Sequence, residues 1–439
     1  MNTPLLARMT GLLGIATMIG VCWLLSSNRK AINWRLVGYA LGLQVLFGVL
    51  VLKTGVGRWL FEGANVVFTR LLSFTQQGAA FIFGNLATGN NVPVGPGPDA
   101  FAPLASVTSW ANTGAYFAFS VLPTIIFFSS LMSVLYYLGI MQRVVQAMAW
   151  VIQKALGTSG AETLSVTGNI FVGQTEAPLL IKPFVGKMTN SELNTVMVGG
   201  FATIAGGVMA AYVGMLTPYF PDIAGHLLTA SVMNAPAALL ISKMLQPEVG
   251  EPVTRGSVKI EIEKTDANVI EAAASGAGQG MQLALNVAAM LLAFIALIAM
   301  INYGVSALGH VVGIANLTLE RIFGWVLKPL AWLIGVPWHD AGTVGSLIGV
   351  KTVVNEFVAY TQLSQLSGTA QALSPRSAII ASYALLGFAN FSSIAIQIGG
   401  IGGIAPERRS DLARLGLKAM IGGNIAAFMS AALAGILIG

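Results

Sequence analysis

The chain has 439 residues, of which 55% are hydrophobic and only 9% are charged. Soluble domains carry roughly 25% charged residues, whereas the mean hydropathy of this chain is +0.76. The composition therefore excludes an ordinary soluble domain and indicates a polytopic membrane protein. We assign the formal net charge of +6 to basic loops at a membrane surface and expect no nucleic-acid partner. Cys22 is the single cysteine, which excludes an intrachain disulfide.

Eight segments are long and apolar enough to cross a bilayer, for which about 20 residues are needed. The first run, 5–25, lacks an early basic region and a clear cleavage site, so we expect it to be retained as a helix. A dense basic loop, 28–35, follows it and is expected in the cytoplasm, which places both termini outside. The predicted spans are 4–26, 36–53, 112–138, 194–216, 223–245, 278–303, 376–400 and 417–438.

Three other segments mix charged and apolar residues and are predicted to lie along the membrane surface as amphipathic helices. They are 55–84, a helix that begins near Arg143, and 316–335. A loop rich in Gly and Pro, 88–103, is expected outside. The charged stretch 246–271 is expected to be a cytoplasmic linker.

Two apolar segments, 162–187 and 344–360, are interrupted by polar residues near their middle. Ionisable groups at membrane depth are costly and usually mark a pathway. Non-helical backbone at that depth is tolerated only where it is buried in protein or lines a cavity. We therefore predict two re-entrant helical hairpins. Their polar residues are Asn169, Gln174, Thr175 and Glu176 in the first hairpin, and Lys351, Asn355 and Glu356 in the second.

The two halves of the chain repeat the same order of motifs. The first hairpin is predicted to enter from inside and the second from outside, so the repeats are inverted, as in many secondary transporters. The predicted fold is an all-α polytopic membrane protein with eight transmembrane helices, interfacial helices and two opposed re-entrant hairpins. The matching positions are Arg143 with Arg321, Thr175 with Asn355 and Gly200 with Gly387, at separations of 178, 180 and 187 residues.

The polar residues of the hairpins suit a neutral solute that carries hydroxyl or amino groups. Glu176 and Glu356 lie among neutral hydrogen-bonding residues, and carboxylates accept hydrogen bonds from such groups. Phe388 adds an apolar face for a flat ring or a sugar. Satisfaction of helix ends is the alternative role for Asn355 and Thr175. Further donors and acceptors are Gln174, Asn390 and Ser393.

Asn169 and Thr203 form a second polar group. Hard cations such as sodium take oxygen ligands, which these side chains and unwound backbone carbonyls supply without a full charge. Val172 and Ile204 would contribute carbonyls only. A purely structural Asn–Thr pair is the alternative.

Several other chemistries are disfavoured. The three histidines lack ligand spacing, which argues against metal or His-base catalysis. The chain contains no Gly-Lys-Ser/Thr loop of the Walker type, so an ATP-driven pump is disfavoured. Lys351 is expected to be structural, through pairing with a carboxylate or capping a helix C-terminus. The histidines are His226, His310 and His339.

Four motifs in the same order resemble the concentrative nucleoside transporter family. The likeness is clear from about Arg143 to the C-terminus, and the order of the preceding elements is compatible with it. The motifs are Gly-Gln-Thr-Glu-Ala-Pro at 173–178, Gly-Phe-Ala-Thr-Ile-Ala-Gly at 200–206, Asn-Glu-Phe-Val-Ala-Tyr at 355–360 and Gly-Phe-Ala-Asn at 387–390.

The resemblance implies a homotrimer in a bacterial inner membrane that imports nucleosides such as uridine with a sodium gradient. It also implies a scaffold part and a transport part that moves across the membrane like an elevator. Both termini would then be periplasmic. The expected divisions are 1–138 (scaffold), 139–247 (transport, first repeat), 248–277 (cytoplasmic linker), 278–310 (scaffold helix) and 311–439 (transport, second repeat).

Carried over residue by residue, the resemblance implies three sets of contacts. The nucleobase would face Gln174, Thr175, Glu176 and Val208. The ribose would face Glu356, Asn390 and Ser393, with Phe388 nearby. Sodium would lie at Asn169, Val172, Thr203 and Ile204, where Thr203 stands in place of the family's serine but keeps the hydroxyl.

Three alternatives to sodium-coupled import remain. One is proton coupling, and a second is a nucleoside-binding channel or receptor without coupled transport. Two gates around one site favour alternating access over a channel. The third is an intramembrane enzyme that uses Glu176 and Glu356 as an acid–base pair, and it is disfavoured because no nucleophile or metal set accompanies them.

Overall fold

The computed structural model describes residues 5–88, 91–94, 109–112, 117–255, 266–311 and 313–438. Most of these residues are helical, which confirms the predicted class. A short antiparallel ladder between β1 (Asn91–Val94) and β2 (Ser109–Asn112) was not predicted. Most of the predicted loop 88–103 falls outside the described residues.

The described residues of the N-terminal third contain six α-helices. The predicted span 112–138 begins too early, because Asn112 belongs to β2 and the long helix starts only at Leu122. Pro123 lies in the first turn of that helix, where a fixed φ and a missing N–H cost nothing. The helices are α1 (Leu5–Leu25), α2 (Trp34–Lys53), α3 (Gly55–Phe83), α4 (Asn85–Thr88), α5 (Phe117–Ser120) and α6 (Leu122–Tyr137).

The next six helices make up the first copy of the repeat. The predicted span 194–216 is not one continuous helix, because the backbone becomes extended at Thr203 (φ −122°, ψ 173°). Two β-branched residues, Thr203 and Ile204, lie at this break, and such residues weaken helix formation. The helices are α7 (Ile140–Leu156), α8 (Gly160–Gly168), α9 (Lys182–Val185), α10 (Asn190–Ala202), α11 (Gly206–Leu216) and α12 (Ile223–Leu245).

A single long helix, α13 (Val269–Val311), joins the two copies. Its 43 residues would extend about 65 Å at 1.5 Å per residue, about twice the thickness of a bilayer core. The helix begins inside the stretch predicted as linker and contains the whole predicted span 278–303. It packs closely on α6, because Gly276 and Gly280 lie against the backbone of residues 125–130 of that helix.

The second copy repeats the element order of the first. The predicted span 376–400 is also broken, between Leu385 and Phe391. The predicted interfacial segment 316–335 is a helix that packs along the first arm of the second hairpin. The helices are α14 (Leu319–Leu333), α15 (Trp338–Val353), α16 (Glu356–Ser367), α17 (Pro375–Leu385), α18 (Phe391–Ile404) and α19 (Arg409–Ile438).

Within the described residues, seven helical segments are long and apolar enough to cross a membrane. They match seven of the eight predicted spans, and the eighth is the broken pair α17 and α18. Helices α10, α11, α12 and α19 form the core of the molecule, whereas only 11% of the apolar stretch of α13 is buried. The surface of α13 is therefore free to meet lipid or another protein.

Candidate functional site

The first hairpin is broken by a run of tight turns. Helix α8 begins with a capping box, in which Ser159 and Glu162 satisfy each other's backbone N–H groups. It ends at Gly168, and consecutive turns then carry the chain to a 3-10 segment at Ala177–Ile181. The turns bury Gln174 and leave Glu176 exposed.

The second hairpin is broken between α15 and α16. Asn355 caps α16, because its Oδ1 accepts from Val358 N at 2.9 Å. Lys351, fully buried, donates its Nζ to the carbonyls of Ala384 (2.9 Å) and Leu386 (3.2 Å) at the C-terminal end of α17. Of the two structural roles predicted for Lys351, the helix cap is therefore confirmed.

The break between α10 and α11 contacts the break between α17 and α18. The N–H of Phe388 donates to the carbonyl of Thr203 at 3.3 Å, and Gly206 N donates to Phe171 O of the first hairpin at 2.9 Å. Gly387 has a φ of +107°, and a Cβ there would lie 2.5 Å from Phe201 O. Only glycine combines that backbone with so close an approach.

A pair of asparagines satisfies the carbonyls freed at these breaks, one in each copy of the repeat. Asn234 of α12 donates to Ala202 O at 2.6 Å, and Asn424 of α19 donates to Ala389 O at 2.9 Å. Neither asparagine was among the predicted site residues. A polar amide occurs at the same place in an apolar helix of each half, and this recurrence is the sequence signal by which both could have been found.

All eight predicted substrate residues line one cavity of about 150 Å³. The hairpin breaks, α11 and the α17–α18 break form its polar wall. An apolar wall from α13, formed by Leu283, Val287, Met290 and Leu291, faces it. The predicted residues that the cavity brings together are Gln174, Thr175, Glu176, Val208, Glu356, Phe388, Asn390 and Ser393.

Glu356 is held by two donors and is only 5% exposed. Asn390 Nδ2 donates to its Oε2 at 2.8 Å, and the Tyr212 hydroxyl donates to its Oε1 at 3.2 Å. Asn390 in turn caps α18, since its Oδ1 accepts from Ser393 N at 2.9 Å. The carboxylate is thus buried without a salt bridge in the described residues and is stabilised by neutral hydrogen bonds.

Gln174 connects the first hairpin to α18. Its Nε2 donates to Ser393 Oγ at 3.3 Å, and its Oε1 accepts from Gln397 Nε2 at 3.0 Å. Gln397, fully buried, also donates to Met197 O at 3.2 Å. Gln397 and Tyr212 were not among the predicted site residues, because a single Gln or Tyr in an apolar helix carries no pattern of its own.

The first hairpin, which carries Asn169 and Val172, contacts the α10–α11 break, where Thr203 and Ile204 lie, through the bond from Gly206 N to Phe171 O at 2.9 Å. Asn169 is 1% exposed and its Oδ1 has no hydrogen-bond partner among the described residues, although its Nδ2 donates to Ser165 O. Thr203 Oγ1 donates to Gly199 O at 2.8 Å and keeps acceptor capacity. A buried oxygen without a partner and a hydroxyl that can still accept are ligands that suit a cation with neutral oxygen coordination.

Comparison with known families decides the class of protein. The family model described as "Na+ dependent nucleoside transporter C-terminus" matches residues 226–435, and its N-terminal counterpart matches residues 13–86. A third model, "Nucleoside recognition", matches residues 118–219. The chain belongs to the Na+ dependent nucleoside transporter family. The resemblance found in the four motifs is therefore confirmed.

Relatives of this transporter span bacteria and mammals. It is 47% identical over 434 residues to an "Uncharacterized transporter" of Haemophilus influenzae, covering 98% of each chain. It is 42% identical to "Sodium/nucleoside cotransporter 1" of Mus musculus over 97% of its own length, and it spans 63% of that longer relative. These relatives are transporters rather than enzymes.

Solved structures share the fold of this transporter. CNTnw in an inward-facing, substrate-bound state has a TM-score of 0.87 at 44% identity, covering 99% of this chain and 98% of that one. A variant of CNTnw in an outward-facing state gives 0.89 at 44% identity over 99% of both chains. The same fold is thus compatible with openings to either side, as alternating access requires, and the transporter is a multi-pass membrane protein.

Proposed function

We propose that this protein is a secondary active symporter that imports nucleosides such as uridine with a sodium gradient. The observation that carries the proposal is that residues from both copies of the repeat converge on one cavity. Gln174, Thr175, Glu176 and Val208 would contact the nucleobase. The ribose would contact Glu356, Asn390 and Ser393 and pack against Phe388.

Sodium would bind at Asn169, Val172, Thr203 and Ile204. The orphaned Oδ1 of Asn169 supports this assignment. The site adjoins the break from which Gln174 reaches the cavity, so ordering of that break around a cation would also order the substrate ligands. Affinity for one ligand would then rise with occupancy by the other, as linkage requires.

Elevator movement of a transport part against a scaffold part fits the two walls of the cavity. Residues 139–247 and 311–439 supply the polar wall, and α13 supplies apolar side chains without hydrogen bonds to break. The cavity, at about 150 Å³, is smaller than the roughly 300–1,000 Å³ of typical ligand sites. A nucleoside would therefore require the two walls to separate.

A homotrimer in a bacterial inner membrane, with periplasmic termini and the two re-entrant hairpins opposed in inverted repeats, completes the proposal. Gln282 and Asn286 support the trimer, because both are exposed on the apolar helix α13. Among the described residues, their side chains hydrogen-bond only to each other, from Gln282 Nε2 to Asn286 Oδ1 at 3.2 Å. Amides in an apolar span tend to pair across helices. Contact with another copy would satisfy their remaining donors and acceptors.

The proposal is tested by uptake of labelled uridine into vesicles that contain the purified protein. We expect uptake to require an inward sodium gradient and to fall strongly in Glu356→Gln. Glu271→Gln, an exposed site at the start of α13, is the matched control and is expected to behave as the wild type. Uptake that depends on a proton gradient instead would show that the coupling ion is the proton and not sodium. Downhill flux that depends on neither gradient would favour a channel.

A further inference from the structure

Tyr212 carries a buried hydroxyl, and this residue is not one of those assigned to the substrate. It lies on α11, is fully buried, and its hydroxyl is 3.2 Å from Glu356 Oε1. Its ring is stacked on Tyr360 at a centroid distance of 4.2 Å and meets the edge of Phe357 at 5.2 Å. Two aromatic rings of α16 therefore fix where this hydroxyl points.

The contact matters because the terminal side-chain torsion of a glutamate has a broad, roughly two-fold distribution, so that a carboxylate held at one oxygen can still rotate. Asn390 holds one carboxylate oxygen of Glu356 at 2.8 Å, and Tyr212 holds the other. With both oxygens held, the plane of the carboxylate is fixed at the wall of the cavity. The two oxygens have about four acceptor positions between them, and the side chains of Asn390 and Tyr212 take two of these.

We propose that Tyr212 is a positioning residue that orients the Glu356 carboxylate toward sugar hydroxyls and so sets the preference for nucleosides that carry both ribose hydroxyls. This inference rests on the proposed function. A carboxylate whose two oxygens are both held offers its remaining acceptor capacity in one fixed plane, and this suits two neighbouring hydroxyl donors. Without the Tyr212 hydroxyl, the carboxylate can turn, and its acceptor capacity is no longer held in one plane.

The test compares uridine with 3′-deoxyuridine in wild-type and Tyr212→Phe protein. Phenylalanine keeps the stacked ring and removes only the hydroxyl. We expect the KM for uridine to rise about tenfold, while the KM for 3′-deoxyuridine, which lacks one hydroxyl, rises less than about twofold. The maximal rate for uridine should change much less than KM, because the hydroxyl acts on binding.

Tyr360→Phe is the matched control. It removes a neighbouring buried hydroxyl that donates to Ser382 O at 2.5 Å and does not bond to Glu356. A purely structural effect in this control should change KM for both substrates by the same factor. Tyr212→Leu is a second variant that also lacks the hydroxyl, and the ratio of the two KM values should shift in it as in Tyr212→Phe even if it is less stable.

Equal factors for both substrates in Tyr212→Phe and Tyr212→Leu would overturn the inference and leave the proposed function standing. Failure of the wild type to take up uridine at all would instead overturn the proposed function. The two failures are therefore distinguishable in one set of vesicles.

Discussion

Gln397 Nε2 donates to Gln174 Oε1 at 3.0 Å and thereby joins two residues that are 223 positions apart in the chain. Gln174 comes from the break of the first hairpin and Gln397 from α18 of the second repeat copy. Because its oxygen is occupied, Gln174 turns its amide nitrogen toward Ser393 and the cavity. The second half of the chain thus determines which hydrogen-bonding group the first half presents to a ligand.

Gln397→Met should weaken nucleoside binding with little change in overall fold. The thioether keeps most of the volume but leaves the buried oxygen of Gln174 without the Gln397 donor, at about 1–3 kcal/mol for a buried acceptor. We expect the KM for uridine uptake to rise by roughly tenfold or more. Gln365→Met, at an exposed position of α16, is the control. An unchanged KM in Gln397→Met would show that Gln174 holds its orientation without help.

Thr203→Ala should lower the apparent affinity for sodium more than that for uridine. The variant removes a hydroxyl that we assign to the cation together with the orphaned Oδ1 of Asn169, while α10 itself loses only a side-chain bond to Gly199 O. The measurement is a sodium titration of uridine uptake. Thr217→Ala removes the same kind of bond, to Val213 O at 2.7 Å, away from the predicted cation residues and should leave the sodium dependence intact. An identical sodium curve for Thr203→Ala would remove this residue from the cation site.

Gly387→Ala should destabilise the protein and abolish transport. At φ +107° an L side chain is strained, and its Cβ would press on Phe201 O and Ala202, at a cost of about 1–3 kcal/mol or more. Gly399→Ala provides a close control, because nothing lies within 4 Å of a Cβ added there. Thermal unfolding of the detergent-solubilised variants measures the difference. Equal midpoints for the two variants would contradict the strain argument.

Lys243→Met should destabilise the protein far more than the loss of a surface ion pair. Lys243 lies 2.7 Å from Glu162 and 3.2 Å from Glu248, and Glu162 is 1% exposed. Removal of the cation leaves a buried carboxylate unpaired, at about 3–5 kcal/mol.

Arg414→Ala breaks an exposed pair with Asp411 and should cost less than about 1 kcal/mol. Thermal unfolding of both variants gives the comparison. A Lys243→Met midpoint equal to that of Arg414→Ala would mean that water or another group compensates Glu162.

The prediction that two apolar spans are continuous helices was wrong. The segments 194–216 and 376–400 read as single spans because an apolar run reports burial and not backbone geometry. Both are broken, and the hydrogen bonds missing at each break are supplied from elsewhere. Phe388 N, Asn234 and Asn424 are such donors, and their contacts are long-range in sequence.

The membrane class, the polar hairpin residues and the match between the two halves were all predictable from the amino-acid sequence. These features follow from composition and from local motifs, because a carboxylate such as Glu176 or Glu356 is conspicuous in an apolar run. How the motifs combine depends on contacts that form when the chain folds. Tyr212 and Gln397 gain a role because folding brings their buried hydrogen-bonding groups within about 3 Å of a motif residue. Residue type and spacing do not encode such a distance.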